Sequence, residues 1–305
     1  MNFTPDTSVL VHGIAEPLGT THAALMKDYG TRVVAGVSPG LGGQTLHDIP
    51  VFDLAIEARQ QVGNIDIATI CVHPYQALDA ALEAIAAGIR QLIILTEGIP
   101  PLDMVRLLRK AEYTETLIVG PSCPGIIVPG KVLLGTHPAQ FYTPGSVGLL
   151  GRSGTLTYEI ALTLTKANLG QSIGVGVGSD AIVGSSFLQW LQMLDEDENT
   201  EAIVLVGETG GEGEEAAADY IREAIDKPVV VYVAGRYAPK HRLFGHTEII
   251  LASRPNGQFS NSFPTTSMGT VQRKVEAFVQ AKIPVADRPS DIPRLVKKVL
   301  EKRLN

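Results

Sequence analysis

The sequence has little cysteine and a deficit of positive charge. Only Cys71 and Cys123 occur among 305 residues, which excludes a disulfide framework and a cysteine-based zinc cluster. Lysine and arginine total 25 against 32 aspartates and glutamates, a net charge of −7. Nucleic-acid binding needs a basic surface, so we expect no nucleic-acid partner. No two histidines have the spacing of a helical metal pair, and we therefore expect no metal site.

Long apolar runs are also lacking. The longest, such as residues 229–234, are far too short to span a bilayer, so we expect no membrane partner. The first residues lack the basic start and apolar run of a signal peptide. We therefore expect a soluble cytoplasmic protein, or a mitochondrial matrix protein in a eukaryote. Hydrophobic residues make up 45% of the chain, enough for a sizeable core, and the length predicts two domains at roughly 150 residues each.

Short β-branched runs alternate with helical stretches along nearly the whole chain. The runs are apolar throughout, which is typical of parallel strands covered on both faces. Strand, helix and strand repeated in this way predict doubly wound α/β sheets. Helices are predicted at 76–87, 101–112 and 212–225. The predicted strands are 8–11, 32–37, 67–72, 92–95, 117–119, 147–150, 173–177, 202–206, 229–234 and 248–251.

One segment interrupts this alternation. Residues 121–145 contain five prolines and four glycines. We interpret them as the crossing between two domains, 1–121 and 122–305, because 25 residues without clear structure are uncommon inside one domain. Within the segment, Gly125–Lys131 nearly spells a P-loop. Val132 stands where a serine or threonine would bind magnesium, so no nucleotide site is predicted there.

Glycine-rich loops follow the first two predicted strands, where ligands bind in open α/β sheets. The loop from Gly13 to Gly19 leads into a helix whose N-terminal amides suit a phosphate, although Glu16 adds negative charge and Pro17 removes an amide. The second loop, residues 38–43, suits another phosphate better than a ribose. A nicotinamide dinucleotide site would want an acidic residue there, which disfavours an NAD-dependent dehydrogenase.

The segment Arg152–Glu159, RSGTLTYE, follows a predicted strand and begins a helix. Ser153, Gly154 and Thr155 would place hydroxyls and bare amides at the positive end of that helix, which makes a good anion cradle. Serine and threonine are equally typical of a simple helix cap. The motif alone does not separate the two interpretations.

His246 follows a basic loop that begins after the predicted strand 229–234. A neutral imidazole attacks phosphoryl groups when an acceptor orients its other nitrogen. Glu208 is the candidate acceptor, because it ends the preceding strand of the same predicted sheet and neighbouring strand ends lie together. A loop histidine is also commonly a solvated or capping residue, so this pair alone leaves the role of His246 open.

Taken together, these segments resemble the alpha subunit of succinyl-CoA synthetase (succinate–CoA ligase) over nearly the whole chain. Their order and spacing over more than 200 residues make the resemblance specific. The segments that carry it are 96–100 (TEGIP), 120–125 (GPSCPG), 152–159 (RSGTLTYE), 207–211 (GETGG) and 245–246 (GH).

The resemblance implies an N-terminal Rossmann-like CoA-binding domain followed by a flavodoxin-like parallel-sheet domain. It implies that His246 is phosphorylated, that Glu208 supports it, and that Tyr158 lies at the substrate site, with the helix end at 153–155 holding phosphate. A beta subunit of ATP-grasp fold would bind ATP or GTP with Mg²⁺ and phosphorylate the histidine. The phosphoryl group would pass to succinate, and the CoA thiol would attack succinyl phosphate, as in the tricarboxylic acid cycle.

The CoA-binding loops depart from the family pattern. The family usually has Thr-Gly-Ser-Gln where this chain has residues 15–18, and a lysine where it has Leu41. Outside these loops, Ser122 stands in place of an asparagine, and residues 247–248 stand in place of small residues. The alternatives are a ligase for malate or citrate, or a non-catalytic CoA-sensing homologue. By resemblance, the CoA contacts are Ala15, Glu16, Pro17, Leu18, Leu41, Thr96, Glu97 and Gly98.

Overall fold

Two mainly parallel sheets, each covered by helices, organise the chain. The computed structural model describes residues 3–236 and 270–304, the last two of them by their backbone alone. The chain divides into two compact units. The first comprises Met1–Gln140, Val175–Gly178 and Ile182–Ser185, and the second comprises Phe141–Gly174, Ser179–Ala181 and Ser186–Asn305.

The first unit contains a seven-stranded sheet. Its strands are β1 (Ser8–His12), β2 (Arg32–Val37), β3 (Thr45–Leu46), β4 (Ile49–Phe52), β5 (Ile67–Ile70), β6 (Gln91–Ile94) and β7 (Leu117–Val119). They follow the order β3-β4-β2-β1-β5-β6-β7, with β3 antiparallel to β4 and the other pairs parallel. Without the short β3, this is the Rossmann order 3-2-1-4-5-6, which reverses beside β1.

Four helices accompany this sheet: α1 (Pro17–Asp28), α2 (Ala55–Val62), α3 (Ala77–Ala86) and α4 (Pro101–Tyr113). The helix α3 joins the core through alanines, which leave little side-chain bulk between helix and sheet. Ala77, Ala81 and Ala84 are buried in one cluster with Ile70 and Leu92. These small residues at helical spacing explain why α3 packs directly on the sheet.

Residues 125–135 form a β-hairpin, which the sequence pattern did not predict. The strands β8 (Gly125–Val128) and β9 (Val132–Gly135) pair antiparallel. Thr31 fastens the hairpin, because its Oγ1 donates to Leu133 O at 2.8 Å and accepts from Leu133 N at 2.9 Å. The near-P-loop segment therefore lies in a hairpin rather than in a strand–loop–helix unit. The first unit reaches Gln140, while the domain boundary at 121 and 122 stays a prediction.

The second sheet carries the strands β10 (Pro144–Gly151), β11 (Gln171–Gly176), β12 (Ala202–Gly207), β13 (Val229–Val233) and β14 (Val285–Ala286). They follow the order β14-β13-β12-β10-β11, and the pairs β10–β12, β12–β13 and β13–β14 are parallel. Counted along the chain, this is the flavodoxin-like order 2-1-3-4-5. The predicted fold class is confirmed in both units.

In the described ranges of the second unit, the helices are α5 (Gly154–Lys166), α6 (Phe187–Glu196), α7 (Gly213–Ala224), α8 (Val271–Gln280) and α9 (Ile292–Leu304). The predicted strand 248–251 lies outside the described residues. Within the described ranges, no helix combines the length and the apolar composition that a bilayer crossing requires.

Candidate functional site

The ends of β10 and β12 lie side by side at the carboxyl edge of the second sheet. Gly151 is in register with Val206, and the N–H of Arg152 donates to Val206 O at 3.1 Å. The next residues along these strands are Ser153 and, beyond Gly207, Glu208. The structure therefore brings the predicted phosphate-binding segment and the predicted supporting carboxylate to neighbouring strand ends.

The helix α5 begins at Gly154 with Ser153 as its N-cap residue, and the Ser153 side chain makes no capping hydrogen bond. The amides of the first helical turn have no partner inside the helix. They give this end a partial positive charge that suits a phosphate or a carboxylate. Because the serine does not cap the helix, the geometry favours the anion cradle over the simple cap. Anion binding at Ser153, Gly154 and Thr155 stays a prediction.

Tyr158 lies one turn further along α5. A Cβ atom added at Gly154 would lie 3.6 Å from the Tyr158 hydroxyl, so the ring stands over the first turn of the helix. Burial raises the pKa of the neighbouring Tyr142 well above its ordinary value, and Tyr158 adds to this rise. The role of Tyr158 in substrate binding stays a prediction.

Arg152 belongs to this site although the sequence motif did not single it out. Its Nη2 lies 3.8 Å from Glu208 Oε1, and its Nη1 donates to Gly210 O at 3.0 Å and lies 3.5 Å from Glu214 Oε1. The side chain is only 10% exposed. It places a permanent positive charge beside Glu208. Its position directly before Ser153 was a signal, because arginine is suited to anions at such helix ends.

A buried ion pair lies behind Glu208. The side chains of Lys274 and Glu214 are both fully buried and bonded to each other. Lys274 Nζ also donates to the carbonyl oxygens of Glu208, at 2.8 Å, and of Gly210, at 2.5 Å. Glu214 Oε1 in turn accepts the N–H of Glu208 at 3.0 Å. Burial lowers the pKa of Lys274, and the charge of Glu214 opposes this effect.

His246 lies outside the described residues, as do residues 247 and 248. The described chain leaves the sheet beside Glu208, because β13 pairs with β12 and the N–H of Ala234 donates to Gly207 O at 2.9 Å. A Cβ atom on Gly235 would lie 2.7 Å from Thr209 Cγ2. The adjacency of the two strand ends, on which the pairing of His246 with Glu208 was predicted, is therefore observed.

The predicted CoA contacts lie at the carboxyl edge of the first sheet. Residues 15–18 follow β1, Leu41 follows β2, and residues 96–98 follow β6. At this edge, a Cβ atom on Gly19 would lie 1.9 Å from Gly13 O. The close approach of the first turn of α1 to the end of β1 therefore requires glycine at residue 19. Pro17 is the first residue of α1, which leaves the amides of the following residues for a ligand.

The second glycine loop differs from the expectation. Asp53 Oδ1 accepts the N–H groups of Gly40, at 2.6 Å, and of Gly42, at 3.0 Å. A carboxylate of the chain thus takes the amides that were expected to suit a phosphate. The expectation is corrected: the single carboxylate of Asp53 occupies the amides on both sides of Leu41.

The threonine of the third segment has a structural role. Thr96 is buried, and its Oγ1 donates to Val72 O at 2.8 Å, which ties the ends of β5 and β6 together. Glu97 is exposed, and Gly98 has a φ of 75°. These contacts to CoA stay predictions.

Among the residues that the structure describes, no three His, Cys, Asp or Glu side chains form a group able to hold a metal ion.

Comparisons with known proteins agree with the two-unit architecture. A CoA binding domain model matches residues 4–98, and a CoA-ligase model matches residues 150–256. Succinate–CoA ligase [ADP-forming] subunit alpha 2 of Archaeoglobus fulgidus is 42% identical, over 96% of this chain and 97% of its own length. The malate–CoA ligase subunit alpha of Methylorubrum extorquens is 44% identical, over 81% of this chain and 84% of its own length.

Among solved structures, the chain is similar to ATP citrate lyase of Methanosaeta concilii, with a TM-score of 0.84 and 22% identity. The match covers 99% of this chain and 51% of that protein, so the chain spans about half of the lyase's length. At this identity the similarity shows the fold alone.

Proposed function

The chain belongs to the family of succinate–CoA ligase alpha subunits, and we propose that it acts as the alpha subunit of a nucleotide-dependent succinate–CoA ligase. The observation that carries the proposal is the pairing of Glu208 with Arg152 beside the N-terminus of α5. A carboxylate to orient a histidine and a positive region to hold a phosphoryl group are what such a reaction requires.

In the proposed first step, a ring nitrogen of His246 attacks the terminal phosphorus of a nucleotide held by the partner. A nitrogen–phosphorus bond forms, and the bond to the leaving diphosphate breaks. Glu208 accepts a hydrogen bond from the other ring N–H, which fixes the tautomer and stabilises the positive charge on the ring. A carboxylate oxygen of succinate then attacks the phosphorus, and the nitrogen–phosphorus bond breaks to give succinyl phosphate. The CoA thiol attacks the acyl carbon of this intermediate, which forms the thioester, loses the thiol proton and releases phosphate.

The chain's own contribution to these steps is mainly electrostatic. A phosphoryl group brings close to two negative charges, and Glu208 adds another. The first-turn amides of α5 and the guanidinium of Arg152 offset this charge in a partly buried environment, where such interactions are strongest. The same fixed groups serve the transfer to the histidine and the transfer to succinate. The phosphoryl oxygens carry the charge in both, and only the attacking atom changes, from nitrogen to oxygen.

The first unit would hold CoA at the ends of its strands. The amides that follow Pro17 at the start of α1 are the groups best placed for a phosphate. Glu16 and Asp53 add negative charge to the neighbouring loops. We therefore expect weaker binding of the polyanion, by about 1–3 kcal/mol, than a loop with lysine at residue 41 would give.

The proposal includes a partner and a place in the cell. An alpha subunit implies a beta subunit, and we propose that this partner has an ATP-grasp fold and binds ATP or GTP with Mg²⁺. We further propose that the enzyme works in the cytoplasm, or in the mitochondrial matrix of a eukaryote.

Phosphorylation of the complex tests the proposal. The chain co-expressed with its beta subunit should take up label from γ-labelled nucleotide in an acid-labile, base-stable form, and His246→Asn should abolish the label. Label that persists in this variant would show that another residue is the nucleophile. Binding of CoA without any labelling would instead indicate a CoA-sensing homologue.

Malate is the second candidate substrate, because the malate–CoA ligase subunit is as similar in sequence as the succinate enzymes are. A turnover assay of the complex with succinate, malate and citrate side by side decides between them. We expect the highest kcat/KM with succinate. A higher value with malate would reassign the substrate while leaving the phosphohistidine step in place.

A further inference from the structure

The backbone N–H and the carbonyl oxygen of Glu208 both form hydrogen bonds to buried charged side chains. The N–H of Glu208 donates to Glu214 Oε1 at 3.0 Å, and its carbonyl oxygen accepts from Lys274 Nζ at 2.8 Å. Two residues on, the carbonyl oxygen of Gly210 accepts from both Lys274 and Arg152. The anchored loop, which we define as residues 207–211, therefore rests on buried charged groups contributed by three separate elements.

Lys274 is the central member of this arrangement. Its ammonium group has three N–H donors, and it has three acceptors: a Glu214 carboxylate oxygen, Glu208 O and Gly210 O. All of its donors are thus used, and two of the three acceptors are backbone atoms of the anchored loop. The residue comes from α8, 66 positions beyond Glu208 in the sequence.

Burial of this ion pair is not explained by stability. Two fully buried charges lose their hydration, and a well-packed apolar pair in the same place is often as stable or more so. What an apolar pair could not do is fix two carbonyl oxygens and one N–H of a glycine-rich loop. The loop needs such fixing, since Gly210 and Gly211 both adopt positive φ, at 85° and 69°, and glycine there leaves the free chain many alternatives.

We propose that Lys274 is a positioning residue for phosphoryl transfer, which holds the anchored loop and thereby fixes the direction from which the Glu208 carboxylate approaches the histidine. This inference rests on the proposed function, in which Glu208 supports His246. Lys274 acts through Glu208 and does not itself touch the reacting atoms.

The chain offers a matched control for this role. Lys227 also donates from its Nζ to two backbone carbonyl oxygens, those of Leu194 at 2.8 Å and Asp197 at 2.6 Å. It precedes β13, at the sheet edge opposite to Glu208. Removing either ammonium group takes a donor from two backbone carbonyl oxygens, but only Lys274 holds the anchored loop; Gly210 O keeps its bond from Arg152.

The experiment compares Lys274→Met with Lys227→Met in the complex with the beta subunit. In single turnovers at saturating nucleotide, Lys274→Met should slow phosphorylation of His246 by about 10- to 100-fold, because a misdirected supporting group raises the barrier to transfer. The KM for nucleotide should stay unchanged, since the nucleotide belongs to the partner. Lys227→Met should phosphorylate within about twofold of the wild type. Equal rates in the two variants, whatever their value, would overturn the inference.

A second variant and a second measurement cover a failure of Lys274→Met to fold. Lys274→Met combined with Glu214→Gln leaves a neutral buried pair and is assayed in the same way, with the same criterion. Hydrogen exchange of the amides of residues 208–211 should be faster in either variant than in the wild type and unaffected in Lys227→Met. Unchanged exchange would overturn the anchoring role.

Hydrogen exchange also separates this inference from the proposed function. A wild-type complex that takes up no label would refute the phosphohistidine function. The exchange data would still decide whether Lys274 anchors the loop.

Discussion

Lys274 and Glu208 meet through the backbone, because the ammonium group of Lys274 donates to the carbonyl oxygen of Glu208 at 2.8 Å. The side chain of Glu208 faces Arg152 instead, at 3.8 Å. Lys274 therefore acts on the backbone of the glutamate, while Arg152 lies beside its carboxylate and also donates to Gly210 O. Because glutamine at residue 152 would keep a donor for that carbonyl oxygen, the effects of position and of charge can be tested by separate substitutions.

Arg152 should contribute through its charge. Arg152→Gln keeps a donor but removes the positive charge beside Glu208 and the helix end, so phosphorylation of the complex should slow by about tenfold or more. Single-turnover labelling measures the rate. The control is Arg222→Gln on the exposed face of α7, where the arginine pairs with its helix neighbours Asp219 and Glu223. A rate for Arg152→Gln equal to that of this control would remove Arg152 from the site.

Gly19 should be indispensable for the first unit. A Cβ atom there would lie 1.9 Å from Gly13 O, so Gly19→Ala must displace α1 from β1. We expect the free energy of unfolding to fall by about 3 kcal/mol or more, and CoA binding to be lost with the loop geometry. Urea denaturation and calorimetry measure the two effects.

Gly213→Ala is the matched control for Gly19→Ala. Gly213 is also the first-turn residue of a helix, but its added Cβ would meet Phe187 at an ordinary 3.8 Å. This variant should change the free energy of unfolding by no more than about 0.5 kcal/mol. Similar losses in both variants would show that the close approach of α1 to β1 is not what requires glycine.

The architecture could be predicted because its signals are local. A strand such as β12, Ala202–Gly207, is buried along its whole length, and that is visible as an unbroken apolar run. The hairpin β8–β9 was missed because the prolines and glycines around it suggested a crossing. The short strands β3, β4 and β14 were missed as well, because two to four residues carry no periodicity.

The candidate site was found only where it is contiguous in sequence. The segments that contain Ser153 and Glu208 are each a strand end followed by glycine, and both were identified. Lys274 and Asp53 act on loops that belong to other segments, 66 positions away for Lys274 and Glu208 and 13 for Asp53 and Gly40, and no sequence motif connects them. A faint signal existed for Lys274, since it shares the buried face of α8 with Val271 and Phe278. A lysine at a core position of an amphipathic helix is rare enough to indicate a buried partner.

Asp53 should weaken CoA binding by its charge. Asp53→Asn keeps an oxygen that can accept the N–H groups of Gly40 and Gly42 but loses the negative charge, so the loop should stay in place. We expect CoA to bind about 3- to 10-fold more tightly at low salt, with the gain shrinking as salt screens the charge. Calorimetric titration of the complex at two salt concentrations measures this.

Asp28→Asn controls for the change in net charge, because Asp28 ends α1 on the opposite edge of the first sheet. Its effect on CoA affinity should stay within about twofold. Equal affinities in Asp53→Asn and the wild type would mean that the anionic part of CoA lies away from this loop. Leu41→Lys, which supplies the positive charge usual in the family, should add to the gain if the loop does contact the ligand.

His137 should make the stability of the first unit depend on pH. Burial lowers its pKa from 6.5 to about 4, while Nε2 bonds to Gly125 O at 3.1 Å. Between these two values the unfolded chain binds a proton that the folded chain does not, so the free energy of unfolding falls as the pH drops from 6.5 to about 4. The loss should total about 3 kcal/mol, and above pH 6.5 the residue should contribute no pH dependence.

Urea denaturation of the wild type and of His137→Gln, at pH 7.0 and at about pH 4.5, isolates this contribution from that of the carboxylates, which both proteins share. Glutamine keeps an N–H donor for Gly125 O but does not titrate. The variant should therefore lose less stability than the wild type on acidification, and the difference between the two proteins is the histidine's share. Equal losses would mean that His137 takes up its proton in the folded state as readily as in the unfolded chain, and burial would not be controlling its pKa.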